Sequence, residues 1–260
     1  APIAGAVLLI CTAAALPVLS GVEPAVRTRL PVALASLILL LIPVGYWAYW
    51  SEAEAAGEPV FPVQVMSYNL HQGFDMDGYL AIRDLVDAIK AQEPDIVALQ
   101  EVSRGWVIDG AFDMLPWLSR ELDMPYVWAP AGDSVWGNAI LSRYPISEGS
   151  FHPMPNNSEI QMDRSYATAV IPMGDSMPLT VMATHLHNPE DEGHLRVLQV
   201  IELLDAWDGR ERTVLMGDLN ARPSDPEMLL LEDAGMVDAF VSSPEYDGRG
   251  YTSTPSDPHQ

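Results

Sequence analysis

The chain has 260 residues, 48% of them hydrophobic, with a formal net charge of −23 and a single cysteine. That length fits one domain of about 200 residues with an appendage, and the lone Cys11 excludes an intramolecular disulfide and a cysteine-based metal site. Lys90 is the only lysine and the arginines are scattered. This weighs against a nucleic-acid interface, which normally carries a basic stripe.

The first fifty residues differ from the rest. Residues 3–20 and 30–50 are almost wholly apolar, each about the length that crosses a hydrocarbon core of roughly 30 Å. Tyr46, Trp47, Tyr49 and Trp50 close the second run and suit a membrane–water interface. A signal peptide or a buried hairpin is the plainer alternative, but two runs joined by a short polar link fit a signal peptide poorly. Residues 1–50 are therefore predicted to be a membrane region with two transmembrane helices. Arg27 and Arg29 in the link favour the cytoplasmic side. The second span then leads outward, which places the following domain outside the cytoplasm at the cell membrane. Residues 51–61, small and acidic with Gly57 and Pro59, read as a linker to a domain over 62–260.

Within that domain, 65–70 is a β-rich run ending in Asn69 and Leu70. Residues 78–92 carry apolar positions at helical spacing and stop before Pro94. Residues 95–101 have the length of a buried strand and close on Glu101. A helix is predicted over 112–122, then several strands in succession over 126–186. One of these starts at Gly137 and Asn138. A polar loop at 153–163, with Asn156 and Asn157, interrupts them. Residues 179–187 form another apolar run ending in ionisable groups, His185 among them. A helix over 194–207 leads to the apolar stretch 213–216, which runs into Gly217-Asp218-Leu219-Asn220. A last helix over 226–234 starts at Pro226 and stops before Gly235. Strand–helix alternation mixed with consecutive strands argues against a simple parallel sheet.

Four strand-like runs thus finish in Asn69, Glu101, His185 and the Asp218/Asn220 pair. Period-two alternation sends Asp218 and Asn220 to one side. A carboxylate there can polarise a water that the neighbouring amide orients. Charge at buried strand ends costs desolvation unless it is paired, and a shared Mg²⁺, which takes oxygen ligands and keeps several waters, would pair it. Singly, each residue has a plainer reading: Glu101 as a solvated strand end, Asn69 and Asn138 as turn residues, Arg104 as a partner of some carboxylate. Together they point to a site. His71, two residues beyond Asn69, and Arg164, in an apparent strand, join it as candidate substrate contacts, and His187 is placed at its rim.

These segments, in this order, together with Gly137-Asn138-Ala139-Ile140-Leu141-Ser142-Arg143-Tyr144-Pro145-Ile146, resemble the endonuclease/exonuclease/phosphatase superfamily, deoxyribonuclease I-like, over about residues 62–260. Ser67-Tyr68-Asn69-Leu70-His71-Gln72-Gly73, following a membrane region, is most similar to the membrane-linked branch. That branch includes the C-terminal domain of proteins implicated in remodelling glycosylphosphatidylinositol lipids. The resemblance implies an α/β fold: a four-layer α/β sandwich of two packed mixed β-sheets flanked by helices, here preceded by transmembrane helices. It implies Mg²⁺, with Mn²⁺ as an alternative, held by Glu101, Asn69 and Asp218. Asp218 would orient or deprotonate the attacking water, Asn220 would hold that water or the phosphate, Asn69 would support the metal or the phosphate, and His185 would stabilise developing negative charge. Arg104, His71, Asn138 and Arg164 are the substrate-side candidates. The superfamily's closing Asp–His pair has no counterpart here. Tyr251-Thr252-Ser253-Thr254-Pro255 resembles the segment just upstream of it, and the chain begins at Ala1 inside an apolar run. The expectation is a fragment cut at both ends.

The function expected is a membrane-tethered, Mg²⁺-dependent phosphoesterase, hydrolysing a phosphodiester or phosphomonoester by metal-assisted water attack. A lipid-linked phosphate is favoured over nucleic acid, and the catalytic domain is expected to be monomeric. The alternatives are an extracytoplasmic nuclease and a catalytically silent, membrane-tethered binding module.

Overall fold

Two βαβ crossovers decide where the chemistry lies. Parallel neighbours need a long connection, usually a helix, and their C-terminal ends then fall at the same edge of the sheet. In the computed structural model, β1 (Val65–Asn69) runs parallel to β2 (Ile96–Ser103), with helix α1 (Ile82–Gln92) between them. Strand β7 (Ser176–His185) runs parallel to β8 (Thr213–Asp218), with α3 (Gly193–Trp207) between. The register pairs Asn69 with Gln100 and His185 with Asp218, so each pair brings two polar strand ends together. The structure describes residues 41, 44–45, 53–55, 57–156, 163–174, 176–188 and 192–244.

The other strands are antiparallel. Among the described residues, β3 (Tyr126–Ala131), β4 (Asp133–Ser142), β5 (Glu148–Pro153) and β6 (Ser165–Met173) join β1, β2, β7 and β8 in two four-stranded mixed sheets, ordered β1-β2-β4-β3 and β5-β6-β7-β8. Helix α2 (Met114–Leu122) follows β2, and α4 (Pro226–Asp233) follows β8. The mixed sheets flanked by helices are the α/β sandwich expected.

Period-two alternation sorts the apolar side chains into three buried layers. From β2, Val97 and Leu99 pack outward against Ile82, Val86 and Ile89 of α1 and Leu115 and Leu118 of α2. Ile96 and Ala98 face the other way and join Ala129, Ile140, Ala167, Ala169, Val181, Ala183 and Met216 between the sheets. Five of these inner residues are alanines, which allow two sheets to approach closely. On the far side, Met182 of β7 packs with Val200 and Leu203 of α3 and Leu231 of α4. Each fully buried large aliphatic side chain contributes roughly 1.5–3 kcal/mol, so the outer layers fix the helices that carry the crossovers.

The predicted helices form, with shifted starts. The helix expected from residue 78 begins at Ile82, because Asp75 Oδ1 accepts the N–H groups of Asp77 and Tyr79 and holds a turn there instead. The helix expected from 112 begins at Met114, because Asp113 bridges back to Arg104. The chain divides between Glu52 and Ala53 into two units. Except for Leu41, Val44 and Gly45, the apolar runs 3–20 and 30–50 lie outside the described residues, as does the segment 251–255. Among the described residues no helix is long and apolar enough to cross a membrane.

Candidate active site

Asn69, at the end of β1, points its Nδ2 between two carboxylates. It donates to Glu101 Oε1 at 3.1 Å and to Asp218 Oδ2 at 2.9 Å. Glu101 belongs to one sheet and Asp218 to the other, so this one amide ties the sheets together across their polar ends. Asn69 Oδ1 accepts the backbone N–H of His71 at 2.9 Å, which fixes the amide's orientation.

A β-bulge aims Glu101. The β2–β4 register runs Leu99 with Ala139, then resumes at Val102 with Gly137, so Gln100 and Glu101 together oppose Asn138. Glu101 takes φ 54°, in the left-handed region. His71 (φ 48°), Gln72 (φ 57°) and Asn220 (φ 47°) share that conformation. Glu93, Asp123 and Asp208 also do, but they are the residues that end α1, α2 and α3, where it is ordinary. Strain of about 1–3 kcal/mol per residue thus falls on four residues around Asn69 and Asp218, and Ala111 (φ 59°) and Arg212 (φ 53°), just before β8, take the same conformation. Gln72 Nε2 donates to the second oxygen of Glu101 at 3.2 Å.

Asp218 ends β8, and Asn220 lies beyond the strand, so alternation does not place it. Asp218 Oδ1 accepts the Asn220 N–H at 3.1 Å, and Asn220 Nδ2 donates to the Leu186 carbonyl at 2.9 Å. The Leu186 N–H in turn donates to the Asp218 carbonyl at 2.9 Å. This closes a turn that joins the ends of β7 and β8.

His185 is 3% exposed, with Nε2 3.7 Å from Asp218 Oδ2. Burial, then the Arg164 charge, push its pKa down against the pull of Asp218, to about 3. It is a neutral imidazole at neutral pH. Trp136 packs against it, ring centroids 5.9 Å apart, and the Arg164 guanidinium lies 5.4 Å from the same indole. Burial lowers the Arg164 pKa to about 10, with Glu101 and Asp218 acting in the opposite direction. Arg164 remains a cation and offsets the two carboxylates electrostatically.

The structure therefore gathers Asn69, Glu101, Asp218, Asn220, His185 and Arg164. Asn138 is buried beside the bulge, and its Nδ2 donates to the Ser165 carbonyl at 2.9 Å as a tie between the sheets. His71 is exposed next to Asn69. Arg104 is engaged elsewhere: it makes a bidentate pair with Asp113, both contacts 2.9 Å, over the faces of Trp128 and Tyr126. His187 lies just past β7 and bonds through Nε2 to Glu192. Two residues escape sequence reasoning. Gln72 sits in a polar turn with nothing to mark it, and Trp136 reads as an ordinary core aromatic in a strand.

Among the described residues no group of three or more His, Cys, Asp or Glu is set to hold a metal. The metal donors that do converge are the carboxylate oxygens of Glu101 and Asp218; the amides of Asn69 and Gln72 turn their N–H groups toward them. That set fits a hard cation such as Mg²⁺, which is held by one or two carboxylates and keeps its waters. It does not fit a closed structural zinc site.

The chain matches the sequence pattern of the Endonuclease/Exonuclease/phosphatase family over residues 66–260. The chain belongs to this family. Members of this family are generally hydrolases of phosphoester bonds and typically use divalent metal ions. Protein cwh43 of Schizosaccharomyces pombe is 28% identical over 184 residues. That stretch is 69% of this chain but only 18% of cwh43, so the chain corresponds to less than a fifth of that relative. YbhP of Escherichia coli is 24% identical over 198 residues, 70% of this chain and 76% of YbhP. Among solved structures, the endonuclease/exonuclease/phosphatase from Beutenbergia cavernae superposes with a TM-score of 0.56 at 24% identity, over 68% of this chain and 55% of that one. That last likeness is one of fold.

Proposed function

We propose that the protein hydrolyses a phosphodiester or phosphomonoester at the cluster of Glu101, Asp218, Asn69, Asn220 and His185, with Mg²⁺ as cofactor. The observation that carries this is the single Asn69 amide held between carboxylates from facing sheets. Glu101 and Asp218 would hold the metal, which when bound would offset charge on the phosphoryl oxygens. Asn69 and Gln72 keep the Glu101 carboxylate in place. Asp218, at the end of β8, orients the attacking water. Asn220 braces the Asp218 turn through Leu186. His185, being neutral, presents an N–H toward the developing negative charge without itself needing a counter-ion. Arg164, desolvated on Trp136, supplies a fixed positive charge behind the site.

A lipid-linked phosphate is the favoured substrate. Two apolar runs precede the domain, and the net charge of −23 opposes approach of a polyanion. On this reading the domain is monomeric, tethered to the cell membrane, and extracytoplasmic.

The test is a substrate panel on the protein in detergent: a lipid phosphodiester, an inositol phosphate and plasmid DNA, each with Mg²⁺ and with chelator. Glu101→Ala and Asp218→Ala are expected to lower turnover by roughly 10²- to 10⁴-fold while circular dichroism stays unchanged. Mg²⁺ is expected to raise Tm in the wild type and not in these variants. Wild-type turnover in both variants would remove the site, and DNA nicking without lipid cleavage would replace the substrate. Orientation is read by protease access to intact cells; cleavage only after lysis would refute an extracytoplasmic domain.

A further inference from the structure

Helices α3 and α4 bury charged and polar side chains on faces that should be apolar. Arg196 is 5% exposed, Gln199 0% and Glu227 1%. Burying such groups is costly unless each is satisfied, and their partners show what the cost secures. Arg196 and Gln199 stand three residues apart on one stripe of α3, and Glu192 is the residue that precedes the helix, four before Arg196. All three grip one residue, His187. Its backbone N–H donates to Gln199 Oε1 at 2.9 Å, its carbonyl accepts from Arg196 Nη1 at 3.3 Å, and its imidazole Nε2 bonds Glu192. Glu227 of α4 pairs with Arg196 Nε and holds the guanidinium in place. Gln199 Nε2 reaches the Pro155 carbonyl at 3.3 Å, just after β5. There the Met154 N–H pairs with the carbonyl of Arg164 at 2.8 Å.

We propose that Glu192, Arg196, Gln199 and Glu227 are positioning residues: a clamp on the His187 peptide that sets the angle of His185 and Asn220 in the site. The clamp and the site meet at Leu186. His187 is held by the helix; Leu186 is held by the Asp218 carbonyl and the Asn220 amide; His185 is the residue directly before Leu186. A shift of the His187 peptide must therefore be absorbed by His185, Asn220 or both. Through Pro155 the same clamp braces the segment that leads to Arg164. The inference rests on the site reading above.

Two variants separate positioning from folding. Gln199→Leu removes both its bonds at little change in volume. The double variant Arg196→Met with Glu227→Met removes the ion pair whole, which spares the fold the cost of a lone buried charge. Each is expected to keep its Tm within a few degrees, to lose about 10- to 100-fold in kcat, and to leave KM unchanged. The His185 ring resonances are expected to shift in both. Gln199→Glu, which restores an acceptor for the His187 N–H, should recover part of the kcat. A folded variant with wild-type kcat and unmoved His185 resonances overturns the clamp. If the wild type hydrolyses none of the panel, or Asp218→Ala retains its rate, the site reading fails instead. The His185 resonances still decide the clamp in that case.

Discussion

His185 is the residue whose environment makes the sharpest demand. Its ring is buried between Trp136 and Asp218, and Arg164 adds an unfavourable charge. An ordinary histidine titrates near 6.5, whereas this one titrates near 3. As pH falls from about 6.5, the unfolded chain takes up a proton at this position and the folded protein does not. Stability contributed here is complete above 6.5 and is lost on acidification through the window down to about 3. Urea midpoints of the metal-free protein should accordingly fall between pH 7.5 and pH 5, and fall less in His185→Gln, which has nothing to protonate there. Parallel declines in the two proteins would show that His185 titrates freely in the fold. The same burial explains the role assigned to the ring: a neutral donor keeps its proton throughout the working pH range.

At the scale of elements, the two parallel strand pairs carry the site, and their close approach is built into β8. Gly217 has φ 150°, and a Cβ there would lie 2.0 Å from the Thr184 carbonyl oxygen of β7. Gly217→Ala must push apart the strands that hold His185 and Asp218. A loss of about 2–4 kcal/mol is expected, read as a lower urea midpoint with unchanged slope, together with reduced turnover. A midpoint equal to the wild type would mean that β7 and β8 adjust freely. The strands themselves were legible in the sequence, because apolar runs such as 95–101 and 213–216 end abruptly in polar groups. The helices were legible from their apolar spacing. What the sequence does not display is set by partners far along the chain. Nothing in Ile96-Val97-Ala98-Leu99-Gln100-Glu101 distinguishes a regular strand from a bulged one; the bulge exists only in the register with β4. Strand alternation would set Asn220 on the same side as Asp218, but β8 ends at Asp218 and the bond from the Asn220 N–H to that carboxylate overrides the strand period. Arg104 is captured by Asp113, nine residues on, a pairing that no spacing rule favours over a phosphate.

For the molecule as a whole, acidity and architecture pull on substrate choice together. The sandwich places the site at one edge of both sheets, where the polar strand ends meet, and the cation whose charge acts on it, Arg164, is buried. Arg164 is 2% exposed, so its field acts at short range inside the site and does little to cancel a net charge of −23 outside it. A long polyanion must cross that outer field, while a single phosphate ester feels mainly the site. The Debye length contracts from ~30 Å at ~10 mM salt to ~8 Å at ~150 mM. At fixed free Mg²⁺, kcat/KM for plasmid DNA should therefore rise with salt over this range, whereas that for a lipid with one phosphate should change little. Enzymes that grip nucleic acid through basic tracks behave the opposite way, since salt competes with their phosphate contacts. A kcat/KM for DNA that falls steeply with salt would reveal such a track on this protein and would move the substrate assignment from a lipid-linked phosphate to nucleic acid.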